Sequence, residues 1–250
     1  MLTIQRRALI TARLNRDGQI IAKPLADELG VSEDTIRRDL REMAAEGLLQ
    51  RVHGGALPLT PPLPDLAARR EISDGTKQSL GRRAADLVKN GQIIFLDGGT
   101  TNAHLARALP REMRITVITH SPTIASELER HDAEVILIGG RLYKHSMVAT
   151  GAAAIASIAQ MRVDIFFLGI TALHPVHGLS TGDYEEAAVK HAIAQQAAST
   201  YVLATPEKFG LASPFRIMGV DNLTGIVAAR DMVDEPLAPY RDLGIPLLLA

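Results

Sequence analysis

Two stretches of this 250-residue chain gather side chains able to do chemistry. The first is Gly30-Val31-Ser32-Glu33-Asp34-Thr35-Ile36-Arg37-Arg38-Asp39-Leu40. Hydroxyls and guanidiniums at that density suit a DNA groove. Arginine pairs bidentately with guanine, and serine or threonine reaches phosphates and base edges. The second is Asp97-Gly98-Gly99-Thr100-Thr101-Asn102. Two glycines let backbone approach a ligand, the threonine hydroxyls donate, and a helix opening there turns free N–H groups toward an anion. An ordinary βα turn with a capping threonine has the same composition, and neither the Walker spacing nor the dinucleotide fingerprint is present.

For the arginines of the first stretch to face a groove, a helix must carry them. Gly30 ends a preceding helix, and Ser32 caps the next by accepting an orphan backbone N–H. Val31, Ile36, Leu40 and Met43 supply the buried stripe, which leaves Thr35, Arg37, Arg38 and Arg41 on the flanks and outer face. An amphipathic helix over 3–16 precedes it, with Ile4, Leu9, Ile10 and Leu14 apolar and Arg6, Arg7, Arg13 and Arg16 between them. Asp17-Gly18 stops that helix, Gln19-Ile20-Ile21 reads as a short lead-in, and Pro24 sits in the first turn of the second helix. After Gly47, the stretch Leu48 to Ala56 reads as a small β-ribbon, the wing of a winged helix-turn-helix. It places Arg51 and His53 against the sugar–phosphate backbone or the minor groove. The expected DNA contacts are therefore Ser32, Thr35, Arg37, Arg38, Arg51 and His53.

Pro58, Pro61, Pro62 and Pro64 follow within seven residues and favour an extended, semi-rigid linker. The expected organisation is an α+β winged helix-turn-helix over 1–57, a proline-rich linker over 58–73, and an effector-sensing domain over 74–250. In the last, a helix near 76–88 leads to apolar runs at 93–96, 115–118, 135–138, 165–168, 201–204 and 226–227. Helical stretches near 101–109, 121–130 and 184–198 separate several of them. Runs apolar throughout suit strands buried on both faces, so an α/β domain with a mainly parallel sheet is expected. Ligands in such sheets collect beyond the carboxyl ends of the strands. The residues at those ends are Asp97, Gly98, Gly99, Thr100 and Thr101; Thr119 with Ser121; Gly140 with Arg141; Glu185 at the start of a helix carrying Lys190; and Lys208. Arg141 and Lys208 are candidates to neutralise a phosphate, and the carboxylates to accept sugar hydroxyls. Taken singly, each reads as a solvated charge or a cap; their succession after strands joins them.

Composition removes several classes of function. There is no cysteine, so disulfides, thiolate chemistry and zinc-finger sites are absent. No run of about 18 apolar residues predicts a membrane span, and Met1 to Arg7 lacks the layout of a signal peptide. A cytoplasmic protein that does not engage membranes is expected. Net charge is −1, with nine Lys/Arg against eight Asp/Glu up to residue 57 and 18 against 20 thereafter. DNA binding must then rest on local placement of arginines rather than on a basic coat. His174 and His177 stand three residues apart in a proline-containing loop, and no metal or cofactor is expected.

Val31 to Leu40, then Gly47-Leu48-Leu49 and Arg51-Val52-His53-Gly54-Gly55-Ala56, resemble the DNA-binding signature of the DeoR family of bacterial transcriptional regulators. Asp97-Gly98-Gly99-Thr100-Thr101 resembles the family's Asp-Ser-Gly-Thr-Thr phosphate loop, with Gly98 in place of the serine. Phe167-Leu168-Gly169 matches without the acidic residue usual soon after it, and Ala204 to Gly210 keeps Lys208 but has Thr205 where aspartate is usual. The resemblance implies a sensor domain with the fold of ribose-5-phosphate isomerase. It also implies a repressor of a sugar-catabolism operon, relieved by a phosphorylated sugar or sugar acid. A double-stranded operator and a second copy of the chain, as dimer or tetramer, are the implied partners. The alternative is a sugar-phosphate isomerase or lyase with an appended head, using Glu185 or Glu186 as general base beside Lys208. A protein-binding adaptor is a third reading. The regulator, not an enzyme, is the expectation.

Overall fold

In a computed structural model of the chain, the described residues are 2–58, 64–232 and 234–250, with the side chains of Asn15 and Arg16 excepted. Contacts divide the chain into Met1–Pro62 with Gly210–Ala212, and Leu63–Phe209 with Ser213–Ala250.

The first unit is built on helices α1 (Thr3–Asp17), α2 (Ala22–Leu29) and α3 (Glu33–Ala45). Gly30 ends α2 with φ at 61°, and the Ser32 side chain accepts from the Thr35 N–H to open α3. Ile10, Leu14, Leu25, Ile36, Leu40, Met43 and Leu49 meet in one apolar core. The lead-in at Ile20–Ile21 corrects expectation. It is a strand, β1, and pairs antiparallel with β3 (Gly55–Leu57), whose other neighbour is β2 (Gln50–Val52). Gly55 makes this possible, since a Cβ there would lie 1.8 Å from the Ile20 carbonyl oxygen.

Pro61 and Pro62 of the expected linker lie outside the described residues. Part of the remainder is helical rather than extended: α4 covers Leu66–Glu71, with Asp65 accepting from the Ala68 N–H as its cap. Helix α5 (Asp74–Ala85) follows.

The second unit holds a seven-stranded sheet in which every neighbouring pair is parallel. Its strands in chain order are β4 (Ile93–Leu96), β5 (Thr116–Thr119), β6 (Glu134–Leu137), β9 (Val163–Leu168), β12 (Ala197–Ala204), β14 (Gly225–Ala228) and β15 (Leu247–Leu249). Between β6 and β9 lie the hairpin β7 (Arg141–Tyr143) and β8 (Val148–Thr150) and helix α8 (Ala152–Ile158). A second, antiparallel sheet joins β10 (Ala172–His174), β11 (Gly178–Thr181) and β13 (Phe215–Met218). The remaining helices are α6 (Thr100–Ala108), α7 (Pro122–Glu127), α9 (Tyr184–Ala194) and α10 (Ala238–Asp242).

Alternation along the strands builds a core on each face, as the pleat requires. Ile94, Leu96, Val117, Ile165, Phe167 and Leu203 pack with Leu80 of α5, Leu105 of α6 and Ile124 of α7. Phe95, Ile118, Phe166, Leu168 and Val202 pack with Ile158 of α8, Val189 of α9 and Tyr240 of α10. Parallel alignment brings the carboxyl ends of β4, β5, β9 and β12 to one edge, where Asp97, His120, Gly169 and Thr205 follow their strands. Among the described residues, no helix is long and apolar enough to cross a membrane.

Candidate DNA interface and anion site

Helix α3 buries Ile36, Asp39, Leu40 and Met43 and leaves Arg37, Arg38 and Arg41 exposed. Arg37 is held by Glu33 one turn earlier, with Nε 2.9 Å and Nη2 2.7 Å from Oε1. Arg38 has no ion-pair partner among the described residues, so it is free to reach a ligand. Ser32 and Thr35 engage each other, their hydroxyl oxygens 2.9 Å apart. Arg37 of α3 and Arg51 and His53 of the wing line one hollow of about 140 Å³. Five of the six expected contact residues thus sit on α3 or share that hollow, and the sixth, Ser32, caps the helix.

Asp39 holds α3 in place. It is 1 % exposed and takes a forked pair of hydrogen bonds from Arg6 of α1, which is itself 4 % exposed; Nη2 to Oδ1 is 3.0 Å. That hydrogen bonding raises the Arg6 pKa against the opposing effect of burial. From sequence alone, Arg6 is one of the arginines set between the apolar positions of α1. Its partner stands 33 residues away, so no local pattern reveals the pair.

In the second unit everything centres on Asp97, which is wholly buried. Its Oδ1 accepts from the Gly98 N–H at 2.7 Å and lies 2.8 Å from His120 Nε2. Its Oδ2 accepts from the Gly169 N–H and from Lys190 Nζ, both at 2.7 Å. Burial would raise this carboxyl, but Lys190 and His120 together bring it down to about 2. A carboxylate offers about four acceptor positions, and all are filled. Asp97 therefore positions the loop and offers no oxygen to a ligand, a correction to its expected contact role.

Lys190, expected on the helix that Glu185 opens but given no role there, is the main partner of Asp97. Its ammonium also donates to the Gly169 carbonyl at 2.7 Å and lies 3.2 Å from Glu186 Oε1. Burial opposes its charge, yet Asp97 and Glu186 raise its pKa above that of an ordinary lysine. Glu186 four residues earlier on α9 was the available signal. Glu186 is held in turn by the Thr181 hydroxyl at 3.0 Å.

Other expected contacts are likewise structural. Thr119 Oγ1 donates to the Leu96 carbonyl at 2.7 Å and accepts from the Ser121 N–H at 3.1 Å. Ser121 Oγ donates to the Met147 carbonyl at 3.0 Å and lies 2.7 Å from Thr123 Oγ1. Both residues are fully buried. Gly140 packs under β8, where a Cβ would meet the Thr150 carbonyl oxygen at 2.7 Å. Arg141 is exposed and Glu185 half-buried; they pair with each other, with Thr150 Oγ1 donating to Glu185 at 3.2 Å. The Arg141 guanidinium holds the Glu185 carboxyl below the usual carboxylate range, so the two charges meet each other at the surface.

What remains available is the loop itself. Gly98 packs tightly: a Cβ there would lie 2.2 Å from Val148 Cγ1, which explains glycine where the resemblance has serine. The Asn102 amide donates to the Asp97 and Phe167 carbonyls at 3.1 and 3.0 Å, pinning the first turn of α6. Among the described residues the hydroxyls of Thr100 and Thr101 make no hydrogen bond, and the first N–H groups of α6 open beside them. Gly99 and Thr100 line a cavity of about 270 Å³ together with Leu66, Arg70 and Glu71 of α4. Lys208, half-buried in a single turn after β12, has no carboxylate within salt-bridge reach among the described residues. Burial, with the charges of Arg69, Lys190 and Lys77 added and Glu207 opposing, brings its pKa down to about 8. Arg69 and Lys77, both unmarked in the sequence reading, therefore share the field of the expected phosphate lysine.

Comparison with known proteins assigns the two parts of the chain to families. Residues 6–61 match the DeoR-like helix-turn-helix domain and residues 73–230 the DeoR C terminal sensor domain. The HTH-type transcriptional regulator GlpR of Haloferax volcanii is 35 % identical over 214 residues, 82 % of this chain and 81 % of that protein. The glycerol-3-phosphate regulon repressor of Escherichia coli K12 is 31 % identical over 212 residues, 84 % of each. Ribose 5-phosphate isomerase A of Methanocaldococcus jannaschii overlaps 54 % of each chain at 19 % identity and a TM-score of 0.41, too distant to assign anything. With both domains matched in order and relatives named as regulators, the chain belongs to the DeoR family of transcriptional regulators.

Proposed function

We propose that this chain represses a carbohydrate-catabolism operon and leaves its operator when a phosphorylated sugar or sugar acid binds the second unit. The observation that carries the reading is the pair of unengaged threonine hydroxyls, Thr100 and Thr101, at the opening of α6. Free N–H groups and the helix dipole favour an anion there, and Lys208 adds charge. The effector contacts are then Gly98, Gly99, Thr100, Thr101 and Lys208. Asp97, Thr119, Ser121 and Gly140 hold the loop, and Arg141 with Glu185 stands at the rim. One relative is named for a glycerol-3-phosphate regulon, which fits a phosphorylated effector.

On the DNA side, Ser32, Thr35, Arg37 and Arg38 meet the major groove, and Arg51 and His53 hold the backbone. A dimer or tetramer in the cytoplasm presents paired heads to two half-sites. The effector must bind one arrangement of the protein better than the other. A difference of about 1–3 kcal/mol changes operator affinity roughly 5- to 150-fold. The isomerase alternative loses its base: Glu186 is tied to Lys190 and Thr181, and Glu185 to Arg141.

Thr100→Val combined with Thr101→Val tests the reading in a gel-shift titration against a panel of phosphorylated sugars. The variant is expected to keep its duplex and to ignore a compound that releases the wild type. Release at the wild-type concentration would remove the loop from the effector site.

A further inference from the structure

Helix α4 lies in sequence between the two matched segments and belongs to neither. It carries Arg69, whose guanidinium is half-buried and, among the described residues, donates only to neutral acceptors. These are the His145 carbonyl at 3.3 Å, Ser146 Oγ at 3.5 Å and, through Nε, the Asp65 carbonyl at 3.4 Å. All three are long for a charged donor, whose hydrogen bonds run near 2.7–2.9 Å. Lys77 Nζ donates to the carbonyls of Arg69 and Ile72 and so clamps the end of α4. Among the described residues, Arg69, Lys77 and Lys208 form no ion pair. Carboxylates such as Glu207 act on these cations from beyond salt-bridge reach, and three neighbouring cations without a direct ion-pair partner make a place suited to a dianion.

The position of Arg69 ties it to the loop. Ser146 precedes Met147, whose carbonyl accepts from Ser121, and Ser121 packs 3.5 Å from where a Gly98 Cβ would stand. Leu66, Arg70 and Glu71 of the same helix wall the cavity that Gly99 and Thr100 border. Burial lowers the Arg69 pKa against the opposing charges of Glu186, Asp65 and Asp97. In sequence, only residues 58–65 separate the last wing strand from α4.

We infer that Arg69 binds the effector's phosphate and that α4, by carrying it, passes occupancy of the site to the segment leading to the DNA-binding head. The inference rests on the phosphate-responsive reading above and adds the element that responds. Without an anion, Arg69 rests on the His145–Ser146 turn. With one, it exchanges those neutral acceptors for phosphate oxygens, and α4 is fixed to the loop rather than to the turn. Lys77 keeps the helix end in place while the arginine turns.

The test uses the full chain with inorganic phosphate as probe, read by calorimetric titration and by hydrogen exchange of residues 66–71. Wild type is expected to bind phosphate and to gain protection across α4. Arg69→Gln is expected to bind on the order of tenfold more weakly or worse, the loss of one charge-assisted contact, and to show no added protection. Arg69→Lys, which keeps the charge without the fork, should fall between the two. A circular-dichroism melt matching wild type keeps these variants interpretable, and for an unfolded variant the wild-type exchange result decides. Phosphate binding by folded Arg69→Gln within twofold of wild type, or unchanged α4 exchange in saturated wild type, overturns the inference. If Arg69→Gln binds normally while the Thr100→Val, Thr101→Val variant does not, only this inference falls. If wild type ignores phosphate altogether, the reading beneath it falls as well.

Discussion

Replacing Asp97 by asparagine probes the organising group of the sensor unit without changing its shape. The carboxylate receives four hydrogen-bonding partners, and its pKa falls from 3.8 to about 2. At 1.36 kcal/mol per tenfold change, that fall corresponds to about 2–3 kcal/mol of stability at neutral pH. Asparagine also turns an NH2 group toward either Lys190 and the Gly169 N–H or His120 and the Gly98 N–H, setting donor against donor. Breaking one side of a buried pair costs about 3–5 kcal/mol, so Asp97→Asn should lose roughly 3 kcal/mol or more. Urea denaturation followed by circular dichroism at pH 7 reads this as an early transition for the second unit. The advantage of wild type has a pH signature as well. A depressed carboxyl stabilises above its unfolded value near 3.9 and loses that contribution as pH falls toward about 2. The gap between wild type and variant should therefore hold from neutral pH to about 4 and close below it. A variant within 1 kcal/mol of wild type at pH 7, or a gap independent of pH, refutes the central place given to Asp97.

Two further outcomes follow from the packing. Arg6→Met alone leaves Asp39 buried and uncompensated, which should cost about 3–5 kcal/mol. Adding Asp39→Leu should restore most of the loss in a thermal melt, and a double variant no better than the single contradicts the pairing. Gly98→Ser should destabilise by about 1–3 kcal/mol through overpacking against Val148, and Val148→Ala should relieve it. Equal stability of Gly98→Ser with and without the second change removes Val148 as the reason for glycine there.

Much of this architecture is written in local pattern. Gly30 and Ser32 mark the turn before α3, and the unbroken apolar runs mark strands covered on both faces. The features missed are those whose cause lies far along the chain. Ile20–Ile21 is too short to declare itself and becomes a strand because Gly55 lets β3 approach it. The Arg6–Asp39 and Asp97–Lys190 pairs span 33 and 93 residues, beyond any periodicity. Helix α4 had a local signal in Asp65, its cap, but four prolines nearby outweighed a helix of six residues. At the candidate site the loop Gly98 to Thr101 was legible because glycines and threonines act through backbone and position. Thr119 and Ser121 read as ligand contacts because residue type shows that a group can bind, not that a neighbour already engages it.

The most direct measurement is fluorescence anisotropy of a labelled duplex from the chain's own upstream region, titrated with folded full-length protein at low ionic strength. Wild type should bind it well above a scrambled duplex, Arg38→Ala should lose about 1–3 kcal/mol of that preference, and a phosphorylated sugar should release the wild-type complex. Equal binding of both duplexes, or a complex that no phosphorylated sugar disturbs, contradicts the account.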